Sequence, residues 1–191
     1  MKRLLLTTLC LLGFLGFQDL QAQEQEQSKK GINFPKMDTS PMDMVAYRND
    51  NNEILMRVIY SRPQKRDREV FGKLVPYGEV WRTGANETTE IAFYKDMEIG
   101  GKTFDAGTYA LYTIPNEKEW TIILNKSQHT WGAYEYTDEK DMVRIKVPVR
   151  NLDHPLENFS MTLEPANKDK GINLLMGWDN KYVKVPFSPA G

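Results

Sequence analysis

The stretch "GTYALYTIPNEKEWTIILN", residues 107–125, constrains the fold most, because its residues alternate with a period of two on both sides of a short turn. Tyr109, Leu111 and Thr113 fall on one face of the first run, and Trp120, Ile122 and Leu124 on one face of the second. Successive strand side chains point to opposite faces, so this pattern predicts two half-buried strands and not a helix. Similar runs recur on both sides. "MVAYR" and "EILMRVIYSRP" flank the turn-forming "NDNN", which predicts a hairpin. "MEIGGKTF" carries Gly100-Gly101 between alternating residues, the strongest short hairpin signal in the chain. "GEVWRTG" and "TTEIAFY" read as two further strands around a polar corner, and "MVRIKVPV", "FSMTLEP", "INLLMGWDN" and "KYVKVPF" as four more near the end. No segment has the period of a long amphipathic helix. The expectation is an all-β, single-domain β-sandwich or jelly-roll of about ten short strands.

The N-terminus predicts export. Lys2 and Arg3 precede the apolar "LLLTTLCLLGFLGF" and the polar "QDLQAQEQEQ", the order of a secretory signal peptide, assigned to residues 1–22. The apolar run falls short of the roughly 20 residues a spanning helix needs, and no later stretch is a candidate membrane span. Residues 23–39 read as a flexible polar lead, 40–187 as the β-sandwich domain and 188–191 as a C-terminal tail. The expected location is periplasmic or secreted. Cys10 is the only cysteine and leaves with the signal, so the exported chain has no disulfide, thiol nucleophile or thiolate ligand. Its stability must come from a packed core.

With 25 basic and 26 acidic side chains in the full chain, the charge balance is near neutral. That excludes the electrostatic footprint of a nucleic-acid-binding protein. The two histidines, His129 and His154, stand in unrelated settings, and neither a calcium loop nor a histidine pair of ligand spacing is present. No metal or cofactor is expected. Nucleophile-elbow, Walker and dinucleotide motifs are also missing.

The polar corner "EVWRTGANETTEIAFY", residues 79–94, carries the candidate chemistry. Alternation places Arg82 on the side of the apolar Val80, with Trp81 opposite. Gly84 and Asn86 are the residues best able to adopt a left-handed backbone there. An arginine turned inward needs a partner, and Glu87 is the nearest candidate across the turn. Two arrangements follow: a salt-bridged structural corner, or a pocket floor where Arg82 holds an anionic or hydroxylated ligand beside an aromatic wall. Tyr60 and Arg62 of "YSRP" repeat the theme ahead of a proline, and "HTWGAY" offers Trp131 as a stacking surface. The basic run "RPQKRDRE" after Arg62 reads as a solvated loop. His129, in a polar loop, reads as a bystander.

Together, "YSRP", "FGKLVPYGEVWRTGANETT", "AGTYALYTIP", "EWTIILN" and "WGAYEY" resemble the secreted bacterial domain of unknown function 2911, from about Ser40 to Phe187. The resemblance implies a signal peptide, one β-rich domain and a Gram-negative envelope setting, and it implies no activity. Its recurring positions fall on Tyr60, Arg62, Pro63, Gly78, Trp81, Arg82, Gly84, Asn86, Trp120, Trp131 and Gly132; His129 is not among them.

The functional expectation is a non-catalytic ligand-binding or envelope-interaction module. Tyr60, Arg62, Trp81, Arg82, Asn86, Glu87 and Trp131 would hold a small polar ligand, a glycan or a peptide. The alternative is a carboxylate-dependent hydrolase centred on Glu87, with Arg82 stabilising negative charge and a second acid drawn from Asp96, Glu135 or Asp138.

Overall fold

The structure, a computed structural model, describes residues 31–166 and 171–191. The assignments of residues 1–22 as a signal and of 23–30 as part of the lead lie outside them. The chain forms two units by contact, Met1–Met37 and Asp38–Gly191. Of the first, residues 31–37 are irregular and expose Ile32, Phe34 and Met37. The second holds the whole sheet.

Nine strands build it: β1 Met42–Arg48, β2 Ile54–Ser61, β3 Glu90–Phe93, β4 Met97–Ile99, β5 Lys102–Phe104, β6 Gly107–Ile114, β7 Glu119–Asn125, β8 Asp141–Pro165 and β9 Ile172–Pro189. All pairings are antiparallel, in the order β1-β2-β3-β6-β7-β8-β9-β4-β5. The three expected hairpins, β1-β2, β4-β5 and β6-β7, are present. Gly100 and Gly101 both take positive φ, 57° and 77°, as a two-residue turn matched to strand twist requires.

The end of the chain departs from expectation in a way that explains the architecture. The four short strands expected there are two long ones. β8 pairs with β7 over Asp141–Pro148 and then with β9 from Val149 onward. Its register shifts between Asn151 and Leu156 and again between Leu156 and Ser160. Such bulges bend a strand without ending it. "NLDHP" resembles a loop, yet it lies within β8, paired with β9 at Asn151 and again just after it at Leu156.

By changing partner along its length, β8 carries the sheet over onto itself. Phe93 of β3 therefore packs against Phe104 of β5 at 4.8 Å and Phe187 of β9 at 5.2 Å between ring centroids, although these strands are not neighbours in the sheet. The result is an all-β sandwich-like layer pair. One main core runs from Met56 and Val58 through Leu111 and Ile122 to Leu174 and Val185. A smaller cluster of Ala110, Tyr112 and Ile123 lies on the other face of β6 and β7 and takes in Val80 and Tyr136.

The loop after β7 is ordered from within. Asn125, fully buried, donates from Nδ2 to the Thr137 carbonyl (2.9 Å) and Asp141 Oδ1 (2.8 Å), and its Oδ1 accepts the Ser127 N–H (2.9 Å). Asn125→Ala strands buried partners, and a loss of about 1–2 kcal/mol is expected. Urea unfolding should show a lower midpoint at an unchanged slope. A midpoint equal to the wild type would mean that this side chain does not hold the loop.

Candidate functional site

The site is assembled around a turn that the backbone enters under strain. Trp81 is held by a two-way backbone bridge to Thr113, N–H to carbonyl at 2.7 Å and 2.9 Å, so the expected strand through "GEVWRTG" shrinks to one bridge. Thr83 follows with φ of 57°, a left-handed conformation that a β-branched residue rarely adopts. That conformation costs on the order of 1–2 kcal/mol. Its surroundings hold it there: the Thr83 hydroxyl lies 3.2 Å from Thr113 Oγ1 and 3.3 Å from the Trp81 carbonyl, and Thr89 Oγ1 donates to the Thr83 carbonyl at 2.7 Å. Strain so over-determined is often found where a side chain must be aimed.

Of the two residues expected to take a left-handed backbone, Asn86 does and Gly84 does not; Thr83 does in its place. Glycine is needed at 84 for close approach, since a Cβ there would lie 3.1 Å from the Ser61 carbonyl oxygen and from Thr89 Oγ1. Asn86, with φ of 58°, accepts the Gly132 N–H on its carbonyl and donates from Nδ2 to Asp38 Oδ1.

Trp81 is buried in an aromatic cluster. Its ring stacks on Trp178 (6.1 Å, 20° between planes), meets Phe159 at 5.0 Å and Trp120 at 6.2 Å, and donates from Nε1 to the Gly84 carbonyl at 3.0 Å. Above this cluster lies a cleft of about 260 Å³ lined by Trp81, Arg82, Gly84, Ala85 and Trp178. Arg66 and Arg68, exposed as a solvated loop requires, line its rim as well. Long-range contacts put them there. Glu157 Oε1 accepts the Arg66 N–H, and the Lys65 N–H donates to the Glu157 carbonyl, while Lys65 Nζ pairs with Asp179 at 2.6 Å. Arg66 and Asp67 both take positive φ, 50° and 58°, and fold the segment back. Among the described residues, no carboxylate lines this cleft.

Arg82 is half-buried, and burial lowers its pKa, with Tyr134 opposing the shift. Its Nε is buried without a hydrogen-bond partner, and among the described residues Arg82 forms no ion pair. The salt-bridged corner with Glu87 is therefore absent. The physical reason lies in the backbone: the turn closes from the Thr89 N–H to the Arg82 carbonyl, and Glu87 is drawn instead into a bridge with Trp131.

Glu87 lines a second cleft of about 310 Å³, shared with Tyr60, Glu90 and His129. Arg82 and Glu87 thus line separate clefts, which removes the geometric premise of a hydrolase built from that pair. The acid that joins Glu87 is Glu90; Asp96, Glu135 and Asp138 do not line that cleft. Glu90 Oε1 accepts the His129 backbone N–H at 3.0 Å and lies 3.0 Å from His129 Nδ1. Sequence reasoning passed over Glu90, although it sits on the face of β3 opposite Ile91.

Of the remaining expected residues, Tyr60 and Arg62 bond within the fold. Tyr60 is buried; its hydroxyl accepts the Met161 N–H at 2.9 Å, and burial raises its pKa. Arg62 donates from Nε to the Phe159 carbonyl, from Nη2 to Ser160 Oγ at 2.8 Å and from Nη1 to Asp43 Oδ2 at 3.1 Å, tying β1 and β2 to β8. Trp131 is 58% exposed, and like Arg62 and Asn86 it lines neither cleft. Among the described residues, no group of three or more metal-ligating side chains could hold an ion, and no helix is long and apolar enough to cross a membrane.

No curated protein and no solved structure matches the chain. The sequence profile of the family described as Protein of unknown function (DUF2911) matches residues 40–187, which span the strands from β1 to most of β9 and the lining of both clefts except Thr39. With the match covering the great majority of its length, the chain belongs to the DUF2911 family.

Proposed function

We propose that the protein is an exported, non-catalytic binding module whose ligand site is the arginine-lined cleft over Trp81 and Trp178. One observation carries this reading: Arg82 lines an open cleft while its buried Nε has no partner among the described residues. A desolvated donor without a partner costs stability, and a ligand that accepts from it recovers that cost on binding. The strained Thr83 beside it fits a backbone shaped for a site. Export follows from the order of charged, apolar and polar residues at the N-terminus.

The four tryptophans make the proposal testable in one spectrum. In the exported chain, the indole N–H signals of Trp81 and Trp178 report on the cleft, and that of the buried Trp120 serves as an internal control. Titration with pooled small polar compounds (sugars, sugar acids, sugar phosphates and short peptides) should shift the first two signals saturably and leave the third in place. A complete set of pools that moves none of the cleft signals defeats the proposal.

A further inference from the structure

The lining of the cleft also specifies the charge of what it holds. Resting on the reading of this cleft as the binding site, we infer that its ligand is an anion: a ring compound of monosaccharide size bearing a phosphate or carboxylate group.

Three guanidinium side chains, those of Arg66, Arg68 and Arg82, belong to a lining without a carboxylate. None of the three forms an ion pair among the described residues. Of the acids near the rim, Asp179 pairs with Lys65 and Glu157 accepts the Arg66 N–H, while Asp67 and Glu69, beside the rim arginines in the chain, are not in the lining. The two rim arginines are nonetheless fixed in direction. Arg68 donates to the carbonyls of Lys65 and Gln64 at 2.8 Å and 2.6 Å, and Arg66 Nε donates to Gln64 Oε1 at 3.1 Å. Arginines held this way still have donors to spare and lose little freedom on meeting an anion. The planar fork of guanidinium suits phosphate and carboxylate oxygens in pairs.

The rest of the lining describes the uncharged part. Leu74, Val75 and Ala85 offer apolar surface, while Thr39 and Ser40 place hydroxyls at the same opening. A sugar ring presents that combination, an apolar face edged with hydroxyl groups. The volume, about 260 Å³, is at or just below the lower end for small-molecule pockets, which limits the ligand to roughly one ring. The positive character is local, because the whole chain carries a formal net charge of only −1. A polyanion such as nucleic acid is drawn by a broad basic surface, whereas this arrangement suits a small, singly anchored anion.

The test uses the exported full chain and four probes: glucose, glucose 6-phosphate, glucuronate and inorganic phosphate. Indole spectra and calorimetry should show the phosphorylated or the oxidised sugar binding at least about tenfold more tightly than glucose, and more weakly as salt rises. Comparison of those two probes reads which anion the site prefers. Inorganic phosphate alone should bind more weakly than the better sugar. The double substitution Arg66→Gln with Arg68→Gln lies on the exposed rim and should keep Tm within about 2 °C while lowering that affinity at least about tenfold. Glucose that titrates the cleft as well as its charged forms overturns the anion inference and leaves the binding proposal standing, as does a double variant of unchanged affinity. Inorganic phosphate that binds as tightly as the sugars overturns the ring. Absence of any cleft shift with these probes and with the pooled compounds overturns both readings.

Discussion

Replacing Trp81 with alanine is expected to destabilise the protein by about 3–5 kcal/mol, the range for removing a large buried aromatic side chain. For a domain of this size that corresponds to a fall in Tm of roughly 6–20 °C. The indole is in contact with four other aromatic rings, those of Phe71, Trp120, Phe159 and Trp178. These come from the segment before it and from β7, β8 and β9, so a cavity at Trp81 loosens the contact between both sides of the folded-over sheet. The surroundings are themselves held, Trp178 Nε1 by the Glu157 carbonyl at 3.1 Å and the backbone at position 81 by the bridge to Thr113, so they cannot collapse freely into the space. Incomplete collapse is what raises the cost of a large-to-small change. Trp81→Phe separates the contributions: it keeps most of the packing, loses the bond to the Gly84 carbonyl, and should cost about 1–2 kcal/mol. Urea and thermal unfolding of both variants check this. A loss below about 1 kcal/mol for Trp81→Ala would show that the cluster is not the support of the cleft.

How far the sequence discloses this arrangement depends on how local each cause is. The β1-β2, β4-β5 and β6-β7 hairpins are legible because their turns are encoded between the strands, as in Gly100-Gly101. The long β8 is not, because nothing local shows that the chain stays extended through "NLDHP", where the register with β9 shifts between Asn151 and Leu156. Arg82 stands out in the sequence as an arginine among apolar residues, but the two-residue period does not place it, since Trp81 and Arg82, expected on opposite faces, line the same cleft. Arg66 and Arg68 are not legible as lining residues, since the contacts that fold their turn into the cleft reach 91 positions to Glu157 and 114 positions to Asp179. Glu87 was assigned to Arg82 on proximity in the chain. The bridge to Trp131 sends it to the second cleft, and no local pattern encodes that pairing. Local periodicity identifies what is unusual, and tertiary contacts decide which unusual residues meet.

Arg62 and Arg82 should respond in opposite ways to truncation, and this contrast separates structure from site. Arg62 binds the Phe159 carbonyl, Ser160 Oγ and Asp43, and joins three strands. Its ion pair is more than a third exposed and contributes little after solvent screening, so the two bonds to β8 dominate. Arg62→Ala should therefore cost about 2 kcal/mol of stability and leave ligand affinity unchanged. Arg82 is different because its buried Nε has no partner and burial disfavours its charge. Removing a desolvated, unpaired charge while keeping its apolar stem, as in Arg82→Met, returns a penalty and breaks no ion pair. Stability should stay within about 0.5 kcal/mol of the wild type or rise. Affinity for the better anionic probe should fall roughly 100-fold, about 2.7 kcal/mol, as expected for loss of a charge-assisted contact in a partly desolvated site. Unfolding and calorimetric titration of both variants give the four numbers. A severe loss of stability in Arg82→Met, with affinity intact, would make Arg82 a second structural arginine and move the ligand away from this cleft.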